Sequence, residues 1–227
     1  MSDFERAWQG KLRAGLVKLG RPELFEASGP CPDDAPPEER VAWNGRLQAL
    51  LQAALSPAKR AELLTGCACR YPPEELAFLR ELYRESGNLA RTHEALQAFF
   101  LTMISEYKQL DDEHLAFIQE NDMGMAGRLE GRTITAVKIP KELKAYLAAD
   151  EPDERARLYC HCPRIRDALE AARETLPADY CLCSAGFYRF LWEEILEAPV
   201  EVSVTRTLLA GDPICEFRIV LPQLPAP

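Results

Sequence analysis

Apolar residues recur at helical spacing through the first 120 positions of the chain. The first stripe consists of Phe4, Trp8, Leu12, Leu16 and Leu19. This spacing predicts an amphipathic helix, and similar stripes predict further helices at residues 43–54, 76–82, 89–103 and 111–121. Ser56-Pro57 predicts the capped start of another helix, which Gly66 ends. Residues 28–38 hold four prolines and are expected to form a loop.

After Asn121 the pattern combines short strands with helices. Residues 128–140 contain a β-branched run after Gly131, which predicts a β-hairpin. Helices are predicted at residues 141–149 and 164–175.

The last 45 residues predict a helix followed by a second hairpin. Residues 184–197 carry one apolar stripe behind Ser184, which is the expected helix cap. Residues 200–204 and 215–221 then alternate apolar and polar side chains on either side of turn-forming residues 210–213. This alternation predicts an antiparallel hairpin with one buried face.

The order of these elements predicts an α+β fold, with helices first and then a small antiparallel sheet flanked by helices. We expect residues 1–60 to form a helical N-terminal extension. Residues 61–227 are expected to form an α+β ligand-binding-like domain that packs with the extension into one compact unit.

Composition narrows the classes of function. The chain has 227 residues, 47% apolar and 28% charged, as in ordinary globular proteins. Its 27 basic and 36 acidic residues give a net charge of −9, so generic electrostatic binding to nucleic acid or to anionic membranes is not expected. No secretory signal or transmembrane segment is predicted, and we expect a cytoplasmic protein. The oligomeric state stays open, a homodimer included.

Known sequence motifs for nucleotide and ester chemistry are missing from the chain. It contains no phosphate-binding glycine loop, no His-Glu-x-x-His and no Gly-x-Ser-x-Gly. This argues against the common nucleotide-binding and hydrolase classes.

The unusual feature is a set of eight cysteines, six of which form Cys-x-Cys pairs. The pairs are Cys67-Ala-Cys69, Cys160-His-Cys162 and Cys181-Leu-Cys183. In a reducing compartment such cysteines are thiols, metal ligands or catalytic groups more often than disulfides. In an extended tripeptide the first and third side chains share a face, so two pairs can supply the four sulfurs of a structural zinc site.

We therefore predict a zinc site built by the second and third pairs, because about 20 residues and one helix separate them. Its ligands are Cys160, Cys162, Cys181 and Cys183. Cys67, Cys69 and His161 are additional candidates. An iron–sulfur cluster is less favoured because no ferredoxin-type spacing is present.

Two other interpretations of the cysteines stay open. Buried cysteine also acts as a small apolar side chain, and Cys215 is expected in the core because it lies in phase with Phe217 and Ile219. Cys31 is expected to be an incidental residue of the proline-rich loop. Alternatively, the pairs serve redox chemistry or form a disulfide.

A cysteine nucleophile is the competing chemical hypothesis. Cys183 precedes the predicted helix at Ser184, where the helix dipole favours a thiolate. His161, Arg164 and Arg166 lie close in sequence to the second pair. These features would equally stabilise thiolates bound to a metal. His93 and His114 lie on predicted helices and are expected to be surface or satisfied core residues.

Several of these segments resemble an uncharacterised bacterial family. It is related to the 4-vinyl reductase small-molecule-binding domain and to L-2-amino-thiazoline-4-carboxylic acid hydrolase-like proteins. The matching segments are YCHCPRIR at residues 159–166, YCLCSAGFY at 180–188, WEE at 192–194 and RTLLAGDPICEF at 206–217. The resemblance covers residues 60–222 and is most specific over 159–222.

The resemblance implies a fold like that of haem–nitric-oxide-binding and transport-particle domains, with helices and a twisted antiparallel sheet around an apolar pocket. It also implies a small hydrophobic or heterocyclic ligand and cysteines that hold zinc. The hydrolase-like relatives imply the opening of a cyclic amidine by water.

Three hypotheses of function follow from the residues and the resemblance. The first is a small-molecule-binding domain with a cysteine-rich zinc site. The second is a hydrolase of the thiazoline-carboxylate type, acting on a C–N bond. The third is an interaction protein that responds to redox state or metal.

Overall fold

The structure, a computed structural model, describes residues 3–29, 31 and 35–223. The loop predicted at residues 28–38 falls partly on residues 30 and 32–34, which lie outside the described residues. The first half of the described chain is helical, as predicted. Its α-helices are α1 (Asp3–Lys18), α2 (Glu23–Ala27), α3 (Pro37–Ala54), α4 (Pro57–Gly66), α5 (Ala77–Ser86), α6 (Leu89–Lys108) and α7 (Asp112–Glu120).

Local capping chemistry sets several of these helix ends. The Ser56 hydroxyl accepts a hydrogen bond from the Lys59 N–H, which confirms the predicted cap of α4. The side chains of Asn88 and Asp111 accept equivalent bonds at the starts of α6 and α7. Gly87 ends α5 in the left-handed conformation, at φ 58°. A 3₁₀ turn, Pro73–Leu76, precedes α5.

The second half of the chain combines four strands with four helices. These elements are β1 (Arg128–Glu130), β2 (Thr133–Val137), α8 (Leu143–Ala148), α9 (Pro152–Tyr159), α10 (Leu169–Thr175), α11 (Leu182–Leu196), β3 (Glu201–Arg206) and β4 (Glu216–Val220). Both predicted hairpins are present. The fold is therefore α+β, as the order of predicted elements indicated.

One antiparallel sheet contains all four strands, in the order β1-β2-β4-β3. The two hairpins join through β2 and β4, where Ile134 lies opposite Ile219 and Ala136 lies opposite Phe217. The apolar residues of β2 and β4 face the helices, and Phe217 and Ile219 are fully buried. One face of the sheet therefore packs against the helices and covers the core.

Two helix starts differ from their predictions, and one helix was not predicted. α11 begins at Leu182, and no side chain caps it, so Ser184 lies inside the helix. The predicted helix at 164–175 is a 3₁₀ turn, Arg166–Ala168, followed by α10. α9 was not predicted, because Tyr159 is its one buried residue and an apolar stripe is missing.

The first 60 residues pack against the rest of the chain. α1 and α3 contact α4, and α3 also contacts α10. α11 crosses α4 closely, because Gly186 leaves room for the Thr65 carbonyl. Among the described residues no helix is both long and apolar enough to cross a membrane.

Candidate functional site

A cavity of about 360 Å³ lies among α1, α6, α11, the end of β2 and the loop that follows α9. Volumes of this order are typical of small-molecule sites, which occupy roughly 300–1,000 Å³. Residues far apart in sequence meet here, because α1 covers one side of the cavity and the loop after α9 covers another.

The wall of the cavity is mostly apolar, and aromatic rings contribute much of it. The aromatic residues on it include Phe4, Trp8, Tyr71, Phe100, Phe187 and Tyr188. Aliphatic and thioether groups of Met103, Met125 and Ile139 add to this surface. Such a wall favours a ligand that is itself largely apolar.

The charged groups on the wall are both cationic. Lys138 and Arg164 line the cavity, whereas no aspartate or glutamate is among the described residues that line it. This differs from the chain as a whole, in which acidic residues outnumber basic ones by 36 to 27.

Lys138 follows β2 directly, and its backbone is held on both sides. Its N–H donates to the Cys215 carbonyl at 3.0 Å. Its own carbonyl accepts a hydrogen bond from the Tyr159 hydroxyl at 2.7 Å. The same hydroxyl accepts from the Cys215 N–H at 3.0 Å, so a fully buried tyrosine joins the two segments.

Arg164 is buried, with 4% of its surface exposed, and its charge is balanced within the protein. Its Nε lies 3.0 Å from a carboxylate oxygen of Glu5 on α1, and its Nη2 donates to the side chain of Asn44. The guanidinium also stacks over the Trp8 ring, 3.4 Å from the ring centroid. Arg164 therefore attaches α1 to the loop after α9.

Four of the six paired cysteines line the cavity. They are Cys69, Cys162, Cys181 and Cys183. Cys67 is instead buried among apolar residues of α1, α3 and α4, and Cys160 is buried beside Tyr159. The first two pairs therefore point one sulfur toward the cavity and the other into a separate core.

The extended geometry assumed for the pairs is absent from the third pair. Cys181 ends a 3₁₀ turn and Cys183 lies in the first turn of α11. Residues two apart on a helix point in different directions, since each residue rotates by about 100°. Both sulfurs still reach the cavity wall, because this helix start projects into it.

Burial favours the protonated form of three of the thiols on the wall. Loss of solvation raises the pKa of Cys183 to about 11, and it raises the pKa of Cys162 and Cys181 as well. Arg164 and Lys138 oppose this shift at Cys162 without reversing it. At Cys183 the loss of solvation therefore acts against the thiolate that a nucleophile requires.

The described part of the chain includes all eight cysteines. No three or more histidine, cysteine, aspartate or glutamate side chains are grouped there in a way that could hold a metal ion. The site of Cys160, Cys162, Cys181 and Cys183, and the roles of Cys67 and Cys69, stay predictions.

His161 is a neutral hydrogen-bonding group on the wall. Burial lowers its pKa to about 3, and the nearby lysines act in the same direction. Its Nε2 lies 2.6 Å from the Ile139 carbonyl. Because a carbonyl needs a donor, Nε2 carries the hydrogen and Nδ1 is left as an acceptor.

The remaining residues singled out from the sequence lie away from the cavity wall. His93 is buried, stacks on Trp192 and approaches the Ala126 carbonyl to 3.1 Å, as expected for a satisfied core histidine. His114 pairs with Asp111 at the start of α7. Cys215 packs beside the core.

Sequence patterns did not single out Lys138 or the aromatic wall. One signal was present: Lys138 is a lone charge between Val137 and Ile139, both of which are buried. A cation within an otherwise apolar run indicates a polar partner or a cavity.

Comparison of the chain with protein-family models, curated proteins and solved structures gave no match. The resemblance to the 4-vinyl reductase and thiazoline-carboxylate hydrolase groups therefore stays a prediction. What the structure establishes is an α+β fold with an apolar cavity at the junction of its helices and its sheet.

Proposed function

We propose that the protein binds a small, largely apolar molecule in the cavity bounded by α1, α6 and α11. The observation that carries this proposal is a volume of about 360 Å³ enclosed by a wall of mostly aromatic and aliphatic side chains. A ligand that covers such a wall gains about 25 cal/mol for each Å² of apolar surface removed from water.

Packing around the wall supports a preformed site. The Tyr188 hydroxyl donates to the Gly124 carbonyl at 3.2 Å. Gly124 has a φ of 109°, and a side chain there would overlap the Phe100 ring. Because the Gly124 backbone and two aromatic rings are held together, a ligand does not have to order this part of the wall.

Binding has more support than the hydrolase hypothesis. Opening a cyclic amidine by water needs a general base or an activated nucleophile. Burial raises the pKa of the Cys162, Cys181 and Cys183 thiols, and no aspartate or glutamate is among the described residues that line the wall.

A fluorescence titration with N-phenyl-1-naphthylamine tests the proposal. This neutral dye brightens in apolar surroundings and is excited outside the absorption of tryptophan. We expect saturable binding with one dye per chain. Met103→Trp adds a ring to the cavity wall and should weaken binding by at least about tenfold, or about 1.4 kcal/mol. Thr102→Trp adds the same ring at the neighbouring, exposed position of α6, and should retain wild-type affinity.

Circular dichroism and urea unfolding establish that each variant is folded. If Met103→Trp fails to fold, Ser184→Phe fills the same cavity from α11. The proposal is overturned if the wild-type protein shows no saturable binding. Equal affinities of the cavity-filling variant and Thr102→Trp would overturn it too.

A further inference from the structure

We infer that the ligand of this cavity carries an anionic group, such as a carboxylate or sulfonate, which pairs with Lys138. The inference rests on the proposed function, since it names the chemical class of the bound molecule. It predicts an apolar ring system with a negative charge at one end.

The first support is the balance of charges on the wall. Arg164 already has a counter-ion, because Glu5 lies 3.0 Å from its Nε. The Lys138 ammonium, in contrast, makes no hydrogen bond or ion pair with any residue that the structure describes. A ligand anion would therefore find one uncompensated cation.

The second support is the lack of a carboxylate on the described part of the wall. Lys138 and Arg164 line it, and no aspartate or glutamate lines it with them. Because Glu5 is already paired with Arg164, no described group on the wall offers Lys138 a negative charge.

The third support is the fixed position of the lysine. Hydrogen bonds to Cys215 and Tyr159 hold its backbone, and the flanking Val137 and Ile139 are each 7% exposed. A cation that starts from a rigid segment loses less freedom when it pairs with a ligand. Beside an apolar wall the attraction is also stronger than in water, because less solvent screens it.

Two dyes that share one ring system separate charge from apolar contact. 8-Anilino-1-naphthalenesulfonate carries a sulfonate, and N-phenyl-1-naphthylamine is the same scaffold without it. We expect Lys138→Met to lower the affinity of the anionic dye by at least about tenfold and that of the neutral dye by less than about threefold. Lys138→Arg, which keeps the charge, should largely restore binding of the anionic dye.

Lys59→Met is the matched control. Lys59 is exposed on α4 and does not line the cavity, so this variant makes the same change in net charge elsewhere. It should leave both affinities unchanged. Equal losses of the anionic dye in the Lys59 and Lys138 variants would overturn the inference.

A competition on the wild-type protein keeps the inference testable if Lys138→Met does not fold. 2-Naphthoate should displace the neutral dye at lower concentration than 2-naphthamide, and added salt should reduce this difference. Equal displacement would overturn the anionic class while the proposed binding function stands. If neither dye binds in a saturable way, the proposed function itself fails.

Discussion

At the scale of single residues, the polar side chains of the cavity differ in whether other protein groups supply their hydrogen-bond and charge partners. Arg164 has a carboxylate, an amide and an aromatic ring as partners, and His161 has a carbonyl. The Lys138 backbone is held by hydrogen bonds, whereas its ammonium pairs with none of the residues that the structure describes. Local sequence predicted none of these differences, because each partner comes from a distant segment.

The neutral state of His161 gives the stability of the protein a pH dependence. An unfolded histidine titrates near 6.5, whereas His161 in the folded protein titrates at about 3. As pH falls below about 6.5, the unfolded state takes up a proton that the folded state does not. This contribution is therefore fully present above about pH 6.5 and is lost progressively toward pH 3.

From about pH 7.5 to about pH 5.5 we expect this histidine to reduce the free energy of unfolding by about 1 kcal/mol. Urea unfolding at the two pH values measures the loss. His161→Gln keeps a donor for the Ile139 carbonyl and has no group that titrates, so it should lose about 1 kcal/mol less than the wild type. Identical losses in the two proteins would contradict the assignment.

At the scale of elements, helix ends set by local chemistry were predictable and those set by packing were not. The cap at Ser56 follows from the hydroxyl of one residue and the N–H of another three positions on. The start of α11 could not be predicted in this way, because the helix begins at Leu182, before the serine that was expected to cap it. The strands of both hairpins could also be predicted, because the alternation of apolar and polar residues is a local pattern.

The crossing of α11 over α4 depends on the lack of a side chain at Gly186. A Cβ at this position would overlap the Thr65 carbonyl oxygen and approach the Ala68 Cβ to 2.8 Å. We expect Gly186→Ala to lower the free energy of unfolding by about 2–3 kcal/mol, since the helices must separate.

Gly66→Ala is the control for this experiment, because a Cβ there meets nothing within 4 Å and α4 gains a better helix former. Its effect should be a gain of about 0.5 kcal/mol in urea unfolding. A Gly186→Ala protein as stable as the wild type would show that the two helices can part at little cost.

At the scale of the whole molecule, the first 60 residues are part of the cavity wall as well as a helical extension. Phe4 and Trp8 of α1 line the cavity, and Glu5 of the same helix pairs with Arg164. Sequence predicted the helix and its apolar stripe. It did not predict that two residues of that stripe face a cavity, because their partners lie some 150 residues further on.

The pair of Glu5 with Arg164 is expected to matter for stability because both groups are largely shielded from water. Arg164→Met removes the Arg164 cation from the Glu5 carboxylate and should cost about 3 kcal/mol. Arg13→Met removes the cation of an exposed pair between α1 and α2, in which 57% of the Arg13 side chain and 72% of the Glu26 side chain are accessible. That loss should stay below about 1 kcal/mol.

Urea unfolding of both arginine variants measures the contrast, with Glu5→Gln as a further partner variant. Combining Glu5→Gln with Arg164→Met should cost less than the sum of the two single changes, because neither charge is then left alone. Additive losses would mean that the buried pair does not couple α1 to the loop after α9.

The pairing of the cysteines could be recognised in the sequence, whereas the directions of their side chains could not. The Cys-x-Cys pairs singled out a segment that does line the cavity, because Cys162, Cys181 and Cys183 lie on the cavity wall. Their orientation could not be predicted, because helix ends at Cys67, Cys160 and Cys181 turn the two members of each pair by different amounts.

The strand order has a consequence for the chain as it is synthesised. β4 lies between β2 and β3, so β2 lacks its inner neighbour until residue 220 has left the ribosome. The bond from the Lys138 N–H to the Cys215 carbonyl also forms late, because Cys215 directly precedes β4. Until then, the apolar faces of the helices that pack on the sheet are exposed to solvent. Chaperones bind such exposed apolar surface during synthesis.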